Sequence, residues 1–175
     1  MSVIGTIFRK KTEQPSAQAD EATVERATQA YRLLNDFRVV PGFDGKQFER
    51  TALTNWISEV RHIAQENELE EITDEYIGHI LAHSIADPTD QAWPHSGVRD
   101  VIEAFANTNF EIGIAVERFN MRGVTWRNPY DGGAQERELA EQYRAWAKTC
   151  ERWLRTSALL MRIAEDWDNH AGYED

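Results

Sequence analysis

The sequence predicts an all-α domain: a compact bundle of six or seven helices, with solenoid-like stacking of helix pairs as the alternative arrangement. Three observations carry this prediction. Apolar residues recur at spacings of three and four along most of the chain, which is the period of one buried helical face. No stretch shows the period-two alternation of a half-buried strand. From Ala134 to Ala171 there is neither glycine nor proline, so nothing punctuates a helical reading there.

Residues 1–19 read as an N-terminal tail, and 20–172 as a single helical domain. The tail is polar and aperiodic after a short apolar start. Asp20 is a suitable N-cap for a first helix carrying Val24, Ala27, Tyr31 and Leu34 on one face, ending before Pro41-Gly42. A second helix is expected over about 47–66, with Leu53, Trp56, Ile57, Val60, Ile63 and Ala64 inward. Thr73 is the expected cap of a short helix through His83 that buries Tyr76, Ile77, Ile80 and Leu81. The two prolines between Ser84 and Pro94 make that segment a loop. Ser96 is the expected cap of the next helix, which buries Val98, Val101, Ile102 and Phe105. Asn107 and Thr108 break it, and a further helix carries Phe110, Ile114, Ala115 and Phe119 to about Arg122. Beyond Ala134 the positions Leu139, Tyr143, Trp146, Cys150 and Trp153 follow a 4-3-4-3 rhythm that Leu160, Ala164 and Trp167 extend. One long helix fits, and so do two. Two are favoured, with a break near Arg155-Thr156, because Thr156 and Ser157 can cap a new start.

Composition narrows the function classes. No apolar run approaches the roughly 18 residues that a membrane helix needs. The first residues do not form a secretory signal, since the positive charges follow the apolar stretch, and a cytoplasmic location is expected. A single cysteine, Cys150, excludes an internal disulfide, and its helix-period neighbours mark it as a packed side chain. The net charge of −11 argues against broad coating of nucleic acid. The charge is uneven, however. Between Arg61 and Arg99 lie eight acids and no Lys or Arg, whereas Arg118 to Arg162 holds nine bases and five acids. These are either solvated helix faces or two ends that meet different partners.

The conspicuous local element is a turn-rich stretch after Met121. Arg122, Trp126, Arg127 and Tyr130 form an Arg-aromatic cluster, and Arg137 follows on the next helix. Such residues are enriched at protein-binding hot spots and also stack on unpaired bases. Alternatively, Trp126 folds back to fill a gap between helices. Asp131-Gly132-Gly133-Ala134 opens a helix whose free N–H groups can hold an anion, or whose glycines simply make a tight turn. His79 and His83, at i and i+4, share a face that can contribute to a metal site with Asp87, Asp90 or His95. The alternative is one packed and one exposed histidine. No metal, cofactor or catalytic residue is assigned.

The pattern Arg122-Gly123-Val124, Arg127, Gly132-Gly133, Gln135-Glu136-Arg137, Leu139-Ala140, Tyr143-Arg144 and Trp146-Ala147 resembles the C-terminal helical region of large uncharacterised bacterial proteins. Ala30-Tyr31-Arg32-Leu33-Leu34, Pro41-Gly42, His83, Trp93-Pro94 and Arg155-Thr156 also fit, so the resemblance spans roughly 25–170. In that pattern a proline often follows the tryptophan matched by Trp153, where this chain has Leu154. The resemblance implies a helical domain with no known activity, as a stand-alone version or fragment of a larger bacterial assembly. The expected function is non-catalytic protein–protein interaction, with a protein partner or a homo-oligomer. The alternative is a nucleic-acid-associated or antiviral-defence module using the basic aromatic face.

Overall fold

The computed structural model describes Glu25, Thr28, residues 36–123 and residues 133–174. Six helices are described: α1 Arg50–Glu66, α2 Glu70–Leu81, α3 Ser96–Phe105, α4 Thr108–Asn120, α5 Ala134–Thr149 and α6 Leu154–Glu174. The all-α reading holds. Among the described residues the only β-type pairing is an isolated bridge between Phe43 and Phe48. The helix expected from Asp20 lies largely outside the described residues, although Glu25, Thr28 and Asp36 are helical.

Two helix pairs dominate the packing. The first is α2 on α4, which run side by side because neither carries a side chain at the crossing. A Cβ on Gly78 would strike the Phe110 carbonyl and the Gly113 backbone, and one on Gly113 would strike the Glu75 backbone. The second pair is the α5–α6 hairpin. It closes at one end where Gly133 lies against Ala171, and at the other where the Ser157 hydroxyl donates to the Ala147 carbonyl at 2.9 Å. Between the pairs lies one continuous core that includes Leu53, Ile57, Leu81, Ile102, Ile114 and Leu160. Cys150 is fully buried in it, as expected for a packed cysteine, and burial pushes its thiol pKa up to about 11.

Three helix starts differ from expectation. α2 begins at Glu70, not at Thr73, which is buried inside the helix. Glu70 and Glu71 sit in the first turn, where carboxylates favour the helix dipole. α3 is capped by His95, not Ser96: the His95 Nδ1 accepts from the Gly97 amide at 3.1 Å. The Ser96 amide is taken by the Asp87 carboxylate at 2.9 Å. The break before α6 falls at Cys150–Trp153, and Glu103 of α3 supplies the cap. Its carboxylate accepts from the amides of Arg155 and Thr156 at 3.1 and 2.9 Å, and from the Thr156 hydroxyl.

The expected loop from Ser84 to Pro94 is tightly tied. Asp87 accepts from the Thr89 amide and Asp90 from the Ala92 amide, each by an Asx-type turn. Arg99, fully buried, reaches back to hold Asp90 in a two-pronged pair at 2.6 and 2.8 Å. The guanidinium holds the Asp90 carboxyl below the usual carboxylate range.

Candidate interaction surface

Three of the five residues singled out in the sequence, Trp126, Arg127 and Tyr130, lie outside the described residues. The other two flank the start of α5. Arg122, half-buried, is ion-paired to Glu136, donates to the Gln135 side chain at 3.3 Å and lies 5.0 Å from the Trp167 ring centroid. Arg137 is exposed, and its amide donates to the Gly133 carbonyl at 3.1 Å. The first turn of α5 therefore contains its own carboxylate, the buried Glu136. A Cβ on Gly133 would strike the Ala171 backbone, a packing role that the tight-turn reading of the glycine pair did not include.

Much of the basic span is engaged within the fold. Arg118 donates to the Tyr143 hydroxyl at 2.8 Å and lies 4.4 Å from the Trp93 ring centroid. Arg155 and Arg162 share the buried carboxylate of Glu111. Arg144 pairs with Asp168, and Arg152 sits 3.7 Å from the Trp153 ring centroid. Arg118, Arg155 and Arg162 tie α5 and α6 to α4, and Arg144 ties α5 to α6, which leaves fewer guanidiniums to meet phosphates.

His79 and His83 do share a face, and both turn toward Glu117 of α4. The distances are 3.8 Å from His79 Nδ1 and 2.9 Å from His83 Nε2. Arg38 approaches the same His83 nitrogen at 3.1 Å and Glu117 at 3.3 Å. Burial lowers the His83 pKa, against the opposing pull of Glu117. Among the described residues no group of three His, Cys, Asp or Glu side chains is placed to hold a metal ion. His83 is the packed member of the pair and His79 the more exposed. The cluster borders a cleft of about 420 Å³ walled by Val39, Phe43, Phe48 and Ile85.

The surface that stands out is on α4. Ile112, Val116 and Phe119 are 46%, 45% and 43% exposed. Their spacing of four and three puts them in one stripe along the helix. The opposite side of α4 is apolar too, with Phe110 and Ile114 fully buried. α4 therefore carries apolar residues on two opposite sides; the core covers one, and the stripe on the other is open. At its C-terminal end Phe119 stacks on Trp167 at 5.0 Å and meets His170 at 4.8 Å, and His170 leads on to the exposed Tyr173. The sequence groups Phe119 with Phe110, Ile114 and Ala115 on this helix. The structure exposes it, because α6 covers only one edge of the ring's position. Ile112 and Val116 were overlooked, although their spacing to Phe119 was a signal of a second apolar face.

The stripe runs between two flanks. On one side is α2, whose Glu75 backbone lies against Gly113. On the other is α6, where Arg162 bonds Glu111 and His170 meets Phe119. Asp166 falls one turn after Arg162 and one turn before His170, so it lies on the same edge at mid-stripe.

No family model matches the chain, and neither a curated protein nor a solved structure does. Among the described residues, no helix is long and apolar enough to cross a membrane.

Proposed function

We propose that this chain is a non-catalytic, helical protein-interaction domain that engages a partner protein through the exposed face of α4. One observation carries the reading: three large apolar side chains stand open in a row, on a helix that the core already uses on its other side. Single exposed apolar residues are ordinary, but a contiguous patch rimmed by polar groups marks interaction surfaces. The aromatic end of the stripe, with Phe119 backed by Trp167, offers the kind of rigid anchor that dominates binding energy.

The test is affinity capture from the source organism, comparing wild type with an Ile112→Asn/Val116→Asn variant. Each apolar anchor is worth about 1.5–3 kcal/mol when fully buried, so a partner seated on the stripe is depleted about tenfold or more. Both substitutions are exposed and conserve charge, so the melting temperature stays at its wild-type value. Recovery of the same proteins, in the same amounts, with both samples overturns the reading.

A further inference from the structure

We propose that the stretch from Asp36 to Val39 is an acid-released strap: it closes one wall of the cleft while His83 is neutral, and swings away when His83 takes up a proton. The device is independent of the exposed α4 stripe.

The strap is held at one point. Asp36, Phe37, Arg38 and Val39 are all exposed, and Val40 is the first buried residue after them. Among the described residues, the side-chain bonds of this stretch are those of Arg38, to His83 at 3.1 Å and to Glu117 at 3.3 Å. Val40 is anchored in the core, and its carbonyl accepts from the Phe43 amide at 3.1 Å. Once Arg38 lets go, the strap pivots at Val39–Val40. Arg38 and Val39 then leave the cleft, which they line together with Ser84 and Ile85. Ser84 stays in place, because its carbonyl accepts from the Trp93 indole at 2.8 Å and its hydroxyl from the His95 amide at 3.1 Å.

The trigger follows from what His83 can donate and accept. His83 stands on α2 and Glu117 on α4, and these helices touch backbone to backbone at Gly78 and Gly113. The two side chains are 9% and 14% exposed, so neither withdraws easily. A neutral imidazole leaves one ring nitrogen free to accept, and Nε2 can take the Arg38 hydrogen. An imidazolium carries hydrogen on both nitrogens, so Nε2 only donates. Glu117, at 2.9 Å, is then its acceptor. Arg38 is left against a positive ring at the nitrogen it had faced.

The surrounding charges do not relieve this repulsion. α4 brings a further cation, Arg118, and α2 brings His79, 3.8 Å from the same Glu117. Asp44 also lines the cleft, but its carboxylate is taken by the amides of Lys46 and Gln47 at 2.8 and 2.7 Å. Of the three groups gathered on Glu117, only Arg38 leaves without moving a helix. Its side chain is already 57% exposed, and an exposed ion pair gives up little when water replaces it. Burial lowers the His83 pKa, Arg38 and Arg118 add to the fall, and Glu117 opposes it. The closed strap therefore belongs to neutral pH and is lost as pH falls through the folded-state value. The coupling is reciprocal: a proton on His83 loosens Arg38, and removing Arg38 eases protonation of His83.

The experiment uses the full chain with a nitroxide label on Val39→Cys. Cys150 is fully buried with its thiol pKa pushed up to about 11, so it stays unlabelled. Label mobility and the nuclear magnetic resonance of the His83 ring are followed from about pH 7.5 to about pH 4.5. Tryptophan fluorescence monitors the core in the same samples. Mobility rises along the curve on which His83 titrates, with core fluorescence unchanged. In His83→Gln, which accepts and donates but does not titrate, mobility keeps its neutral-pH value throughout. In Arg38→Gln, a substitution at an exposed site, the label is mobile at every pH, and the His83 pKa moves up toward its ordinary 6.5. A His83 titration that leaves the label unmoved overturns the proposal. So does a pH response that survives in His83→Gln, or a His83 pKa that is the same with and without Arg38. Mobility that rises only where core fluorescence is lost reports global unfolding, and overturns it as well.

Discussion

His83 illustrates how one side chain is placed in a conflict that its sequence neighbours do not reveal. Its Nε2 faces a donor, Arg38, and an acceptor, Glu117, within 3.1 and 2.9 Å. A neutral imidazole satisfies one of them: protonated at Nδ1 it accepts from Arg38, and protonated at Nε2 it donates to Glu117. Burial pushes the His83 pKa below its ordinary value of 6.5, as do Arg38 and Arg118, while Glu117 pulls it up. The unfolded chain then binds the proton more tightly than the folded one. Stability tied to neutral His83 is present above about pH 6.5 and is lost as pH falls through the lower, folded-state value. We expect unfolding free energy to drop between pH 7 and pH 5, and the drop to be smaller in His83→Gln. Denaturant titrations across that range check it, and a wild-type profile that rises toward acid would rule it out. The i, i+4 spacing of His79 and His83 was legible in the sequence. Their shared neighbour was not, because Glu117 comes from another helix, 34 residues after His83.

At the scale of the element, periodicity located the helices and side-chain competition moved their ends. Apolar spacing found α1, α3 and α4 to within a few residues. It could not say that Asp87 would take the Ser96 amide, leaving His95 to cap α3, since that depends on how the 84–95 loop folds back. Nor could it find the cap on α6, which reaches over from α3. The contact of α2 with α4 yields a sharp prediction. In an isolated helix, Gly→Ala gains up to about 1 kcal/mol from propensity. At Gly113 the added methyl meets the Glu75 backbone, which cannot yield as a flexible side chain would. Overpacking of this kind costs about 1–3 kcal/mol or more, so the clash outweighs the gain. Gly113→Ala should unfold at lower denaturant concentration than wild type. A midpoint equal to or above wild type would show that the two helices can separate without loss.

The whole molecule is joined by bonds between its early and late helices. Glu103 caps α6, Glu111 holds Arg155 and Arg162, the Trp153 indole donates to Asp100 at 2.7 Å, and Arg118 reaches Tyr143. The described helices should therefore unfold together. Trp56 and Trp93 report the first half and Trp146, Trp153 and Trp167 the second, so tryptophan fluorescence and far-ultraviolet dichroism should trace one coincident transition. Glu103→Ala leaves two α6 amides without their acceptor, at about 1–3 kcal/mol, and should shift that single transition down without splitting it. Two separated transitions in wild type would mean that the halves are independent.

The sequence by itself determined the all-α class, most helix spans, the packed Cys150 and the asymmetry of charge. Each of these depends on period, composition or residue type within one segment, which is all that a linear pattern encodes. Only the tertiary structure decided which apolar residues would be left uncovered. Phe110 and Ile114 are buried, whereas Ile112, Val116 and Phe119 stand open on the same helix. α4 carries apolar residues on more sides than its neighbours cover, and which side stays open depends on where α2 and α6 come to rest. It also decided that arginines of the basic span would pair with carboxylates and rings, so that Glu111 is buried while Arg144 and Arg162 keep much of their own surface exposed. Burying a charge is tolerable only where a partner waits, and those partners come from distant parts of the chain.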